Sequence, residues 1–466
     1  MKSFIVFVLV LSNITAFCNF KLIKETGDPK TEKIFTQFCS SCHGEKVQAF
    51  VDRKWKHGNS KAELIKTITN GVLDAGMPSW KASISAKEIE KLADLIVLNL
   101  ASVNQYKFTE AKKQSTYKSG KMTIKLDTVA IGFDSPWGLT QMPNGEFLIT
   151  DRSGILYRVD NNKNKYQIKN TPQVLVKGQG GLLDVEIHPQ FSENGWVYLS
   201  YSKFKVEDGV NLTTTAIVRG KIVDDNFVNS EELFEAFPYT KTTYHYGSRI
   251  VFDKKGHMYF SVGERGMHFE YAQSTENDLG KIHRLFDDGK VPLDNPFYGK
   301  APNRPSIFTF GNRNPQGLVY NEAFQQVWET EHGPRGGDEI NIVRKGGNYG
   351  WPVISYGINY DGKPITNLSK KEGMEQPENY YIPSIAPSGL AFVTSDKYGD
   401  WKGSLLIGSL RFNYLERVLV KNGKLTPNQK ELINIGRMRN VKMGNDGFIY
   451  VSVEGPGMVF RLIPSF

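Results

Sequence analysis

The stretches Pro143-Asn144-Gly145-Glu146-Phe147-Leu148-Ile149, Lys254-Lys255-Gly256-His257-Met258-Tyr259-Phe260 and Asn445-Asp446-Gly447-Phe448-Ile449-Tyr450-Val451 repeat one phrase: a turn holding glycine, then an apolar strand. Glycine takes the positive φ of a tight turn without steric cost, so its fixed place in each copy marks the same bend. Further short strands of this texture, at residues 196–201 and 404–407, are bounded by Gly, Asn, Asp or Pro. A turn and strand that return in this way are the unit that every blade of a β-propeller repeats. At four strands per blade, the roughly 345 residues of 122–466 predict six blades. The 44 glycines and 12% aromatic residues suit such an all-β architecture.

Upstream the texture changes. Cys39-Ser40-Ser41-Cys42-His43 is the c-type haem attachment pattern, in which two thiols form thioethers to the haem and the adjacent histidine reaches the iron. A thioredoxin-like Cys-x-x-Cys is the bland alternative, but no βαβ pattern surrounds the motif. A disulfide across so short a loop would staple almost nothing. Met77, in Gly76-Met77-Pro78-Ser79-Trp80, is the expected second axial ligand, since the following proline favours an extended loop. His57 competes with it, and bis-histidine ligation is the runner-up.

Helix signals flank these motifs. Asp28-Pro29 opens a first helix whose apolar face carries Ile34, Phe35 and Phe38. Ser85 and Glu88 form a capping box, Ile84 and Ile89 a hydrophobic staple, and Leu92, Leu95, Ile96 and Leu100 continue a buried stripe. Residues 27–105 thus resemble a small all-α class I cytochrome c domain. Residues 106–121 are polar, carry Lys107, Lys112, Lys113, Lys118 and Lys121, and read as a linker.

The beginning of the chain has the layout of an export signal: Lys2, an apolar run over residues 4–11, then small and polar residues through Ala16. Residues 1–20 are expected to be removed, which implies a periplasmic protein with no transmembrane span in the mature chain. Cys18, preceded by Phe17, is the candidate lipid anchor. The formal charge of +9 is spread along the chain rather than gathered into a basic block interleaved with aromatics, so no nucleic-acid partner is expected.

Three loop phrases are denser than strand-and-turn logic requires. They are Tyr244-His245-Tyr246-Gly247-Ser248-Arg249 leading into Ser261-Val262-Gly263-Glu264-Arg265-Gly266; Gly311-Asn312-Arg313-Asn314-Pro315-Gln316-Gly317-Leu318; and Glu331-His332-Gly333-Pro334-Arg335-Gly336-Gly337-Asp338-Glu339. They set a histidine, acids and arginines beside glycines, as propellers do at the mouth of the central channel. Together with Gly178-Gln179-Gly180-Gly181-Leu182-Leu183 and Ala386-Pro387-Ser388-Gly389, they resemble the soluble quinoprotein glucose dehydrogenases, and more closely the periplasmic aldose sugar dehydrogenases.

That resemblance implies a six-bladed propeller that holds pyrroloquinoline quinone and calcium. It implies His245 as catalytic base, with Glu264 as its partner where most of the glucose enzymes have aspartate. Oxidation at an anomeric carbon removes the hydroxyl proton as hydride leaves, and neutral imidazole near pH 7 suits that transfer. Arg313 and Asn314 match the pair at the reactive quinone oxygens, where a fixed cation stabilises developing charge. Gly333 and Pro334 match carbonyl ligands of calcium, and Asp338 matches a second acid near the base. Arg437 and Arg439 match the arginines that clamp the cofactor carboxylates. Arg411 stands where the glucose enzyme has lysine, and Gln179 matches a substrate-contacting glutamine. His332 is histidine in the aldose type and glutamine in the glucose enzyme. His188-Pro189 reads as a structural strand-end turn.

The function implied is oxidation of an aldose sugar to its lactone, with electrons passing from quinone to the fused haem c and on to a respiratory electron acceptor. Two alternatives stay open: a propeller that only binds a glycan or protein beside the cytochrome, and a dehydrogenase for a non-aldose alcohol.

Overall fold

A computed structural model describes residues 28–39, 43, 55, 57–73, 77–101, 114–360, 365–381, 384–421, 424–426 and 428–466. The export segment with Cys18, Cys42 of the haem motif and residues 106–113 of the expected linker lie outside them.

The first unit is helical. α1 (Pro29–Phe38) is capped by Asp28, whose side chain accepts from Lys30 N at 3.2 Å. α2 (Lys61–Asn70), which the sequence reading did not single out, starts on a capping box between Ser60 and Glu63. α3 (Ala86–Ala101) starts on the expected box: Glu88 N donates to Ser85 Oγ at 3.4 Å, and Ser85 N donates to Glu88 Oε2 at 3.2 Å. Each box satisfies amides that the helix itself leaves unpaired. The three helices bury Phe35, Leu64, Ile68, Ile89, Leu92 and Ile96 in one core, with Trp80 and the partly buried Met77 against it.

The segments expected to hold haem are shaped locally. His43 N donates to Cys39 O at 2.9 Å, so the two residues lie one helical turn apart on a common face. Val72 and Met77 exchange backbone hydrogen bonds of 2.8 and 3.0 Å, which fixes the methionine loop at its base.

The second unit is a ring of six antiparallel sheets. Five are contiguous in sequence, over residues 136–168, 182–235, 250–310, 315–381 and 387–431. The first strands of neighbouring sheets touch all the way round: Pro136–Gln141, Leu182–Ile187, Ile250–Phe252, Pro315–Asn321, Pro387–Phe392 and Arg437–Met443. The glycines of the repeated phrase do what their spacing predicts, with φ of 90° at Gly145, 80° at Gly256 and 78° at Gly447. Each bends the chain from a first strand into a second.

The sixth sheet is built from both ends of the propeller chain. Met122–Ile131 pairs antiparallel with Met458–Ser465, setting Leu126 opposite Leu462 and Thr128 opposite Phe460. Thr116–Ser119 then pairs back on Met122–Ile131 as an edge strand. Strand structure therefore begins inside the stretch expected as linker. Gly120, at φ 59°, makes the turn; Tyr117 packs on the adjoining core, and Ser119 Oγ donates to Glu431 Oε1 at 2.9 Å. Among the described residues no helix is long and apolar enough to cross a membrane.

Ile124 of the closing strand is fully buried in the largest core cluster. Ile124→Ala is expected to cost about 2–5 kcal/mol in equilibrium unfolding, the range for a buried cavity. A loss well under 1 kcal/mol would mean that closure does not hold the ring.

Candidate active site

The inner strands of the six sheets start at one mouth of the ring. A cavity of about 430 Å³ lies there, lined by Ser135, Gln179, Gly247, Gln316, Ala386 and Arg437, one from the start of each sheet's first strand. Its size suits a small organic ligand.

His245 precedes the third sheet in an unusual conformation for a non-glycine residue, with φ 52°. Gln179 holds it, its Oε1 accepting from His245 N at 2.8 Å. The ring Nδ1 lies 2.8 Å from Glu264 Oε1. Glu264 is wholly buried; its second oxygen accepts from Gly266 N, and Arg313 Nε stands 4.0 Å from Oε1. Burial, and next the charge of Arg313, press the imidazole below its usual range, although Glu264 pulls the other way. Burial alone would raise Glu264, but the His245 ring and Arg313 outweigh it and hold the carboxyl below its usual range. The result is a neutral imidazole anchored through Nδ1–H to a carboxylate, with Nε2 left as a base.

Arg313 is almost fully buried and is oriented from both ends. Its Nη1 donates to the carbonyls of His332 and Gly333 at 2.9 and 2.8 Å. Its backbone N–H, with that of Asn314, donates to Glu331 Oε2 at 2.5 and 3.2 Å. Burial raises Glu331 to about 7 despite those donors. Asn314 Oδ1 accepts from Gly247 N at 3.2 Å and Gln316 Nε2 at 3.3 Å, tying the third and fourth strand starts together. His332 lines the cavity and its Nε2 bonds to Pro387 O at 2.7 Å; burial and Arg439 press it down to about 3, so it is neutral.

Arg437 and Arg439 both line the cavity and share one carboxylate, Glu454. Arg437 Nε donates to Oε2 at 3.1 Å and Arg439 Nε to Oε1 at 2.8 Å. Burial would raise Glu454, but the two guanidiniums overcome it and hold the carboxyl at about 2. Arg152, held by the carbonyl of Gly178 at 2.8 Å, is a third cation on the cavity wall. Arg411, like His245, Glu264, Arg313 and Asn314, is not among the residues that line this cavity; its Nη1 donates to Ser384 O at 2.8 Å and its guanidinium covers Phe412.

Asp338, expected as a second acid near the base, has both carboxylate oxygens engaged. One oxygen accepts from Gly333 N at 2.9 Å, and the other from Ser384 Oγ, Ile385 N and Ala386 N at 2.6, 2.6 and 2.8 Å. With both oxygens bound it shapes the Gly333–Pro334 turn; burial brings it to about 6 even so. Sequence reading missed Glu331, Arg152 and Glu454. Only Glu454 left a trace, being the cross-strand partner of Arg437 in a hairpin legible from its turn.

The residues fit a flat polyanion: three arginines face the cavity, and Trp137 supplies an aromatic wall. A hard cation at the turn would have the carbonyl of Pro334 and that of Gly333, the latter shared with Arg313 Nη1, and no converging group of three or more His, Cys, Asp or Glu among the described residues, so further oxygens would have to come from the ligand.

The glucose/sorbosone dehydrogenase family matches residues 133–461, and the cytochrome c oxidase, cbb3-type, subunit III family matches residues 28–96. The aldose sugar dehydrogenase YliI of Escherichia coli (strain K12) is 38% identical over 73% of this chain and 93% of its own length. The apo crystal structure of the soluble aldose sugar dehydrogenase from Escherichia coli superposes with a TM-score of 0.69 at 37% identity, covering 73% of this chain and 99% of the other. The PQQ-bound form of the aldose sugar dehydrogenase from Streptomyces coelicolor gives 0.62 at 26% identity, covering 74% and 99%.

The folded value of Glu454 lies below the unfolded one, so its stabilisation is full above the ordinary carboxylate range and fades as pH falls toward 2. Glu454→Gln is expected to cost on the order of 3 kcal/mol near neutral pH, at about 1.4 kcal/mol per unit of displacement. In denaturant titrations from pH 7 downward, the gap between variant and wild type should close with acid. A gap independent of pH would contradict the pairing.

Proposed function

Because the chain belongs to the glucose/sorbosone dehydrogenase family, we propose that it oxidises an aldose at the anomeric carbon to the lactone, in the periplasm, and sends the electrons through its own haem to a respiratory acceptor. In this reading an export signal over residues 1–20 is removed, the cytochrome domain spans 27–105, and the propeller begins with the edge strand at residue 116. The observation that carries it is the His245–Glu264 pair, 2.8 Å apart, tied through the His245 backbone to Gln179 on the wall of a cavity that three arginines also line.

The chemistry follows from the pair. Glu264 accepts the Nδ1 proton and fixes the ring, so Nε2 takes the anomeric hydroxyl proton, and the nearby carboxylate stabilises the imidazolium that forms. Gln179 keeps the His245 backbone in place through Oε1 and stands exposed at the rim, where its amide nitrogen meets substrate. Arg313 and Asn314 set a fixed cation and an amide toward the developing negative charge without reorganising. Arg437, Arg439 and Arg152 would hold the cofactor carboxylates, and the Gly333 and Pro334 carbonyls a calcium. Pyrroloquinoline quinone and calcium, when bound, would supply the two-electron acceptor and its Lewis acid. In the small domain Cys39 and Cys42 would anchor haem c, with His43 and Met77 as axial ligands.

His245→Ala is expected to lower aldose turnover by about 10²–10⁴-fold, the usual worth of a positioned base. Turnover within a few-fold of wild type would overturn the mechanism. Glu264 raises the His245 value, so Glu264→Gln should slow turnover and also move the acid limb of the kcat/KM profile to lower pH. An acid limb that moved up would assign the base elsewhere. In an anaerobic aldose panel the haem should become reduced only when the quinone has been loaded.

A further inference from the structure

Arg335 follows Gly333 and Pro334 in the loop that borders the active cavity, yet its side chain serves the other domain. The guanidinium carbon lies 5.5 Å from the ring centroid of Phe38 and 5.5 Å from that of Trp80. Those rings meet edge to face at 5.7 Å, so the cation sits against an aromatic pair. Arg335 is only 5% exposed, and its backbone is pinned by two hydrogen bonds of 3.1 Å to Ile358. A buried guanidinium favours aromatic faces through their quadrupole, and its plane allows stacking that an ammonium lacks.

A second contact lies beside it. Tyr244 Oη reaches the carbonyl of Leu73 at 3.5 Å. The residues involved are close in sequence to the functional segments of both domains. Phe38 precedes Cys39, Trp80 follows the Met77 loop, and Leu73 follows Val72, which bonds to Met77. On the propeller side, Tyr244 precedes His245. The contacts therefore join the edges of the expected haem site to the edges of the expected quinone site.

We propose that Arg335 is a positioning residue for interdomain electron transfer: its stack on Phe38 and Trp80 docks the haem domain at the mouth of the propeller. The proposal rests on the dehydrogenase reading above. Oxidising one aldose to lactone releases two electrons and two protons. The electrons reduce the haem iron from ferric to ferrous one at a time, and each passes on to an external one-electron acceptor. A tether keeps the domains at high effective concentration but sets no orientation, and linked domains move relative to one another unless an interface holds them. Electron tunnelling falls steeply with distance, so a docked orientation sets the rate.

The test uses the full chain loaded with haem, quinone and calcium, as wild type, Arg335→Ala and Arg335→Lys. Small-angle scattering reads domain spacing, anaerobic stopped flow with glucose reads haem reduction, and an artificial two-electron dye reads the propeller alone. For Arg335→Ala, haem reduction should slow by about ten-fold or more while dye reduction stays within about two-fold, because only docking is lost. Its scattering should show a longer maximum dimension, and Arg335→Lys should fall between alanine and wild type. Unchanged scattering with an unchanged haem rate would overturn the proposal. So would a dye rate that falls as far as the haem rate, which would put Arg335 in the propeller chemistry. If wild type reduces neither dye nor haem, the dehydrogenase reading fails, while scattering still decides the docking.

Discussion

The antiparallel pairing of Met122–Ile131 with Met458–Ser465 joins the first and last strands of the propeller, and the cavity depends on that join. The sheet it completes is the one that carries Arg437, Arg439 and Glu454. The inner strand of that sheet, Arg437–Met443, touches Pro387–Phe392 of the fifth sheet and Pro136–Gln141 of the first, so the pairing ties the start of the chain to the sheet that bridges the two. Backbone pairing supplies this constraint at long sequence range, at the expense of a large loop-closure entropy. The buried stripe of Ile124, Leu462 and Phe460 opposes that entropy.

Within the ring, several ionisable groups at the site are buried beside a neighbour that fixes their state. Glu454 stays ionised because two arginines share it. Glu264 stays ionised because His245 and Arg313 face it. His332 stays neutral because Arg439 and burial both oppose its charge. A buried ion pair adds little net stability over an apolar pair of the same shape. Its value here is geometric, since each pairing aims a guanidinium or an imidazole at a cavity assembled from six separate strand starts.

Local features were readable from sequence and long-range ones were not. The turn glycines, the Ser85–Glu88 box and the haem motif are each decided within a few residues, so propeller, helical domain and cofactor class were all legible. The candidates His245, Glu264 and Arg313 sit in dense loop phrases, whereas Arg439, in the strand Arg437–Met443, was reached through the resemblance alone. Glu331 and Arg152 were not, since nothing nearby in the chain says which amide or carbonyl they will meet. Asp338 shows the same limit: its place was readable, but its four hydrogen bonds come from residues up to 48 positions away. Lysine-rich polarity hid the edge strand at Thr116–Ser119, because an edge strand can be as polar as a linker.

Under the proposed docking, the haem domain would share the mouth with the substrate, and the contacts divide the space. The described contacts to the small domain come from Tyr244, at the start of the third sheet, and Arg335, in a loop of the fourth. Gln179 and Arg437 belong to the second and sixth sheets; Gln179 is exposed, and the Arg437 side chain keeps 51% of its surface. Under the proposed function, sugar would enter over one arc of the ring and electrons would leave over another. His245 lies between them, bonded to Gln179 on the substrate side and next in sequence to Tyr244 on the haem side. A broad apolar interface would hold the domain more firmly, but it would cover the arc through which the substrate must pass.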